Sequence, residues 1–270
     1  MKIFKNNTSI KIFGIKIVSL TYQELLSRIE GFIQEKDTRR IVLINPHLFL
    51  VARKFPDYMR YIKYSDLVIA DGFGIVLACL LLSGKIVKKI TGTDLMPILA
   101  KTGAEKGWRF YFLGAKPGVA DKAAENFKKM FPNFNVVGIQ HGYFSIDEEK
   151  KVVEKIKKAK PDILIVCLGA YKQEMFIEKY QKEIGVPVAF GNGAAFDFWA
   201  GEVKRAPKWM QNVRLEWFWR LIQEPKRLWK RYLIGNTIFV FLVIEELIKK
   251  FFNKFKPQLG QNCNKSFRDL

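Results

Sequence analysis

Short stretches that are apolar at nearly every position constrain this chain most. Arg40–Ile44 (RIVLI), Leu67–Ala70 (LVIA), Trp108–Leu113 (WRFYFL), Asp162–Leu168 (DILIVCL) and Val186–Phe190 (VPVAF) are each too short for a helix of ordinary length and rich in β-branched and aromatic residues. A strand without alternation is buried on both faces, the condition of a parallel sheet with helices packed above and below. Helical spacing of apolar residues follows in the intervals: Tyr22–Gln34, about His47 to Lys54, the run from Gly74 through Leu82, Leu95–Lys106, Val119–Met130, Ile146–Ala159, and from Lys172 onward. Lys11–Val18 and Asn135–Ile139 read as further short strands, and Ile90–Asp94 as a loop and helix cap. The predicted fold class is α/β, a mainly parallel Rossmann-like sheet with helices on both faces.

The composition changes near Val203. From there to Leu270 the chain carries 15 Lys and Arg against 5 Asp and Glu, half of the whole chain's formal charge of +20. Four of the six tryptophans, Trp209, Trp217, Trp219 and Trp229, lie in the same stretch, interleaved with cations. Rings with polar edges between long cationic side chains suit an anionic lipid surface. They also suit nucleic acid, where rings stack on bases. Pro225 divides the segment, one helix ending near Glu224 and the next starting at the proline. The apolar run Thr237–Ile244 stops at Glu245-Glu246, well short of the roughly 20 residues a spanning helix needs. The expected organisation is an α/β domain over 1–202, a basic, Trp-rich amphipathic helical appendage for membrane docking over 203–257, and a disordered tail over 258–270. The N-terminus is basic but has no continuous apolar core of a signal peptide. Three cysteines (Cys79, Cys167, Cys263) and two histidines (His47, His141) share no metal or disulfide spacing, which suits a reducing compartment.

In open α/β sheets ligands bind beyond the carboxyl ends of the strands. Polar residues gather at such ends here: Asn45, Asp71, Gln173-Glu174 after a glycine, and Asn192 with Asp197. Asp71 and Asn45 could equally be helix N-caps, and Gln173-Glu174 first-turn residues of a helix. Asp197, between Phe196 and Phe198, must find partners or sit at a mouth. The glycines of 72–74 and 114–118 do not complete a dinucleotide fingerprint, no phosphate-binding P-loop occurs, and no Asp-x-Asp pair offers metal ligands. Phosphate would then be held by helix N-termini and cations.

Several blocks in order resemble the WecG/TagA/CpsF glycosyltransferases: Asn45-Pro46, Ala70-Asp71-Gly72-Phe73-Gly74, Thr91-Gly92-Thr93-Asp94-Leu95, Leu168-Gly169 with Lys172-Gln173-Glu174, Gly193-Ala194-Ala195-Phe196-Asp197 with Gly201, and Arg205-Ala206-Pro207. Leu215-Glu216-Trp217, Arg220-Leu221, Glu224-Pro225 and Arg227-Leu228-Trp229 complete the pattern, which covers about residues 11–240. The resemblance implies an inverting, metal-independent hexosyltransferase without a cofactor. It would move a sugar, N-acetylmannosamine as first choice, from a UDP-sugar to a polyprenyl-diphosphate-linked N-acetylglucosamine in cell-surface polysaccharide or teichoic acid synthesis. The enzyme would be cytoplasmic and peripheral on the inner face of the membrane, with an anionic membrane surface as partner, room for a homo-oligomer, and no nucleic acid.

By position, the resemblance makes Asp71 the general base and Asn45 its neighbour. It puts Gln173, Asp197, Lys89, Thr91 and Asn192 in the substrate pocket, and gives Arg220 and Arg227 to a diphosphate. Three positions depart from the family pattern: Leu43 stands where Thr is usual, Lys89 where Arg is, and Tyr171 where Pro is. The alternatives are another UDP-hexose donor, a nucleotide-dependent oxidoreductase on fold alone, and a basic nucleic-acid-binding module.

Overall fold

The structure is a computed structural model that describes residues 9–213 and 215–265, with side chains throughout except at Asn212 and 254–265. The chain opens with a hairpin, β1 (Ser9–Ile12) and β2 (Ile15–Val18), and then α1 (Tyr22–Glu35). Next come β3 (Arg39–Ile44), α2 (Pro46–Lys54), α3 (Pro56–Lys63), β4 (Leu67–Ala70), α4 (Phe73–Ser83) and α5 (Gly92–Lys106). The second half of the sheet is built from β5 (Arg109–Gly114), α6 (Val119–Met130), β6 (Asn135–Gln140), α7 (Glu149–Ala159), β7 (Ile163–Cys167), α8 (Lys172–Ile184) and β8 (Val188–Gly191). Short helices follow: α9 (Ala195–Trp199), α10 (Lys208–Asn212), α11 (Glu216–Gln223) and α12 (Pro225–Trp229). Lys230–Gly235 then winds in wider π-type turns straight into α13 (Asn236–Lys265).

The six strands β3 to β8 form one sheet in the order β4-β3-β8-β7-β5-β6, every pairing parallel. Both faces are buried, as uniformly apolar strands require. Val42 and Ile44 of β3, with Leu164 and Val166 of β7, point into one core shared with α2, α4, α7 and α8. Ile41 and Leu43, with Ile163 and Ile165, point into the other, shared with α1, α5 and α6. The predicted α/β architecture is the one observed.

Two local readings are corrected. Lys11–Val18 is two strands in an antiparallel hairpin, because Phe13 and Gly14 both take positive φ and reverse the chain. A period of two continues through such a turn, so the alternation alone could not reveal it. Helix α3 was not anticipated; Pro56 at its first turn starts it immediately after α2.

The C-terminal segment is packed on the α/β body. Leu228, Phe239 and Val243 are buried, and the last two join the core that holds Ile44, Phe49 and Ile75. Phe239 meets Phe49 edge-on at 5.6 Å between ring centres. Pro225 begins α12 as expected. The stretch expected to be disordered continues the backbone of α13 as far as Lys265, and 266–270 lie outside the described residues. Among the described residues no helix is long and apolar enough to cross a membrane.

Candidate active site

Because all six strands are parallel, their carboxyl ends share one edge, and a cleft of roughly 1590 Å³ opens there. Asn45, Asp71, Lys89, Thr91, Gln173, Asn192, Asp197, Arg220 and Arg227 all line it, whereas Glu174 lies buried behind Gln173.

Asp71 follows β4 directly; its N–H donates to Ile44 O of the neighbouring strand at 2.8 Å. It does not cap a helix. The N-cap of α4 is Gly72, at φ 87°, which offers no side chain to cap the helix. The Asp71 carboxylate instead accepts from Asn45 Nδ2 at 3.2 Å. Asn45 works at both ends: its Oδ1 accepts from the Leu48 N–H at 3.0 Å and caps α2. That cap fixes the side chain so that its NH₂ faces Asp71. Burial pushes the Asp71 carboxyl up to about 6, against the Asn45 hydrogen bond and the charges of Arg231 and Lys89, with Glu216 adding to the rise. Such a group is ionised at neutral pH yet basic enough to accept a proton.

Gln173 and Glu174 are both buried in the first turn of α8. Gln173 Nε2 donates to Glu174 Oε1 at 2.6 Å, and Gln173 Oε1 accepts from the Gly193 N–H at 3.3 Å. Glu174 Oε2 accepts from the Tyr171 N–H at 2.9 Å. Tyr171 sits at φ 74°, ψ −57°, a strained γ-turn conformation for a residue with a side chain. Proline could neither take that φ nor donate that N–H, so tyrosine at this position changes the local backbone. A β-carbon on Gly191 would overlap the Gln173 amide; the bare glycine lets Gln173 lie against the end of β8. Burial raises the Glu174 carboxyl to about 7.

Asn192 Nδ2 donates to Gly92 O at 3.2 Å and ties the end of β8 to the start of α5. Thr91 caps α5: its Oγ1 accepts from the Asp94 N–H at 3.2 Å and donates to Asp94 Oδ2 at 2.7 Å. Asp94 also pairs with Arg205, which reaches Glu216 at 3.7 Å, so the start of the C-terminal segment is clamped to the cleft rim. Lys89 is exposed at that rim.

The other wall is cationic. Arg220 lies over the Phe198 ring, 4.8 Å from its centre, and its Nε and Nη2 are buried without a hydrogen-bond partner among the described residues. Glu224 is 3.6 Å from Arg220 and 2.5 Å from Arg227. Both arginines act on Asp197, whose carboxyl burial nevertheless raises. Sequence reasoning missed Arg231. It lines the cleft within electrostatic reach of Asp71, its Nε is buried with no hydrogen-bond partner among the described residues, and burial lowers its affinity for the proton. His47, also on the cleft, is pushed down to about 4 by burial and by Arg231, so it is neutral at pH 7. Arginine donors left unsatisfied around an open cleft make a seat for a multiply charged anion. Among the described residues no three His, Cys, Asp or Glu gather to hold a metal ion.

A parallel α/β body with a buried basic carboxylate and a cluster of arginines in the cleft at its carboxyl edge suits a glycosyltransferase. The comparisons specify it further: this chain belongs to the glycosyl transferase WecG/TagA/CpsF family, which matches residues 10–252. It is similar to the N-acetylglucosaminyldiphosphoundecaprenol N-acetyl-beta-D-mannosaminyltransferase of Bacillus subtilis (strain 168), 34% identical over 221 residues, covering 82% of this chain and 85% of the relative. The protein of the same name from Bacillus spizizenii is 35% identical over 193 residues, 72% of this chain and 74% of that one. The one from Staphylococcus aureus (strain MW2) is 27% identical over 247 residues, 91% of this chain and 96% of that one.

Proposed function

We propose that the chain transfers N-acetylmannosamine from a UDP donor to N-acetylglucosamine carried on a polyprenyl diphosphate, with inversion and without a metal, at the inner face of the cell membrane. The observation that carries this reading is the carboxylate of Asp71, oriented by Asn45 and raised by burial, in a cleft that arginines also line. Asp71 takes the proton of the acceptor hydroxyl as that oxygen attacks the anomeric carbon. The new glycosidic bond forms on the face opposite the breaking bond to UDP, which leaves with the electron pair. Arg220 and Arg227 neutralise the charge that develops on the departing diphosphate, the task a metal performs elsewhere. Gln173 and Asp197 line the donor side. A cleft beyond the ~300–1,000 Å³ usual for one small ligand has room for the heads of two substrates. The names of the relatives supply the sugar and the acceptor.

The test is a panel of UDP-sugars with a water-soluble acceptor bearing the same sugar diphosphate, assayed with and without EDTA. Turnover with UDP-N-acetylmannosamine above all other donors, unchanged by EDTA, is expected. Preference for another UDP-hexose would replace the donor, and loss of activity in EDTA restored by manganese would overturn the metal-free mechanism.

A further inference from the structure

Helix α4 is unusual for its place. It starts two residues after Asp71, and its sequence FGIVLACLLLS carries no charge. One side is core: Ile75, Ala78, Cys79 and Leu82 are buried. The opposite side is a stripe of exposed leucines, Leu77, Leu80 and Leu81, at 37–48% exposure, continued by Ile86 at 69%. Solvent does not call for such a stripe.

Helix α13 runs beside α4 in the same direction. Near the cleft Phe239 lies against Gly74, and at the far end Lys250 Nζ donates to Leu82 O at 2.8 Å. Both helices begin in the cleft wall, where Val76 of α4 and Val240 of α13 are lining residues, and both lead away from it. The residues that α13 exposes, Phe241, Ile244 and Ile248, lie on the side turned away from Phe239, Val243 and Lys250, so the exposed stripe beside the cleft is that of α4. The leucine stripe therefore belongs to a helix that starts two residues beyond Asp71 and ends where Lys250 meets Leu82.

We propose that the exposed side of α4 is the acceptor-chain subsite: it takes the isoprenoid chain of the lipid-linked sugar diphosphate as that chain leaves the cleft. This rests on the functional reading above. An acceptor of that kind joins an anionic head to a long apolar chain. The surface repeats the sequence in space, with a cation-walled cleft beside the general base and then an apolar exit that begins at the cleft's own wall. Arg231 is the cation placed to meet the acceptor's diphosphate, on the Asp71 side of the cleft, and the leucine stripe then covers the first isoprene units.

The test uses full-length protein in aqueous buffer without vesicles or detergent, which removes membrane docking from the readout. Two soluble acceptors share one sugar diphosphate head, one ending in a methyl group and the other in a farnesyl chain. Wild type should show a KM at least about tenfold lower for the farnesyl acceptor, since each buried methylene adds to binding. Leu77→Ala with Leu81→Ala should raise the farnesyl KM toward the methyl value, leaving kcat and the methyl acceptor unchanged. Leu81→Gln, a single change at an exposed helical site, should shift it the same way if the double variant fails to fold. Equal KM values in wild type would overturn the proposal, as would an equal loss with both acceptors. So would variants that keep the farnesyl preference while pelleting less with phosphatidylglycerol vesicles, which would make the stripe a bilayer contact. A change of mass in light scattering with that preference intact would make it a contact between copies. No turnover of wild type with either acceptor would remove the functional reading, and the proposal with it.

Discussion

Asp71 is where chemistry and stability pull apart. Its carboxyl is raised from 3.8 to about 6, so the folded protein binds this proton more tightly than the unfolded chain does. Between those values the folded state holds more proton than the unfolded one, and stability falls as pH rises; above about 6 the whole cost, ~3 kcal/mol, is present. Asp71→Asn removes that cost and keeps an oxygen for Asn45 Nδ2. The variant should lose transfer by about 10²–10⁴-fold. It should also melt higher than wild type at pH 7.5 in calorimetry, with the gap closing toward pH 4. In wild type, kcat/KM should fall about tenfold per unit as pH drops below the Asp71 value of about 6. A pH-independent rate over pH 5–7, or full activity in Asp71→Asn, would take this residue out of the reaction.

At the scale of elements, the glycines decide whether the donor side is assembled. Gly191→Ala places a methyl group on the Gln173 amide, which is held from behind by Glu174 and cannot retreat. Overpacking of this kind costs about 1–3 kcal/mol. UDP binding by calorimetry should weaken by about tenfold or more, with a lower melting temperature. Unchanged binding would mean that Gln173 does not touch the nucleotide. The sheet was legible because buried parallel strands leave unbroken apolar runs, and the cluster of polar residues at strand ends was legible because topology places such ends together. Other elements were not. The Phe13-Gly14 turn hides inside an alternation that is the same on both sides of it. Arg231 is one of several cations in KRLWKR, and only the path of the folded segment shows that it lines the cleft with Arg227. The apolar run of α4 reads as a core helix, and nothing in its sequence tells that one side stays open. Tyr171 is visible as a departure from the family pattern, but its positive φ is not.

For the whole molecule, the C-terminal segment serves the core and the surface together. Truncation after Glu202 removes Leu228, Phe239 and Val243, each buried and worth about 1.5–3 kcal/mol. The remaining body should keep its sheet signal in circular dichroism but melt well below the full chain; an unchanged melting curve would show that the segment only rests on the body. The same segment exposes Trp209, Trp217 and Trp229 among its cations. Full-length protein should pellet with anionic vesicles and be released by salt, with about 1 kcal/mol of attraction for each cation near the surface. Binding equally well to neutral vesicles at high salt would leave only the apolar contact.

The π-type turns at Lys230–Gly235 impose a constraint of phase on this arrangement. Before them and in their first residues the chain must aim Arg227 and Arg231 at the cleft; downstream it must aim Phe239 and Val243 at the core. An α-helix advances about 100° per residue, so adding or losing one residue between the two sets turns one against the other by that angle. The side chains of Leu233 and Ile234 are exposed and free to vary. The number of residues is not. Within this family member the segment works as a gear of fixed tooth count: replacing a tooth leaves the mechanism in time, and removing one stalls either the arginines or the anchor.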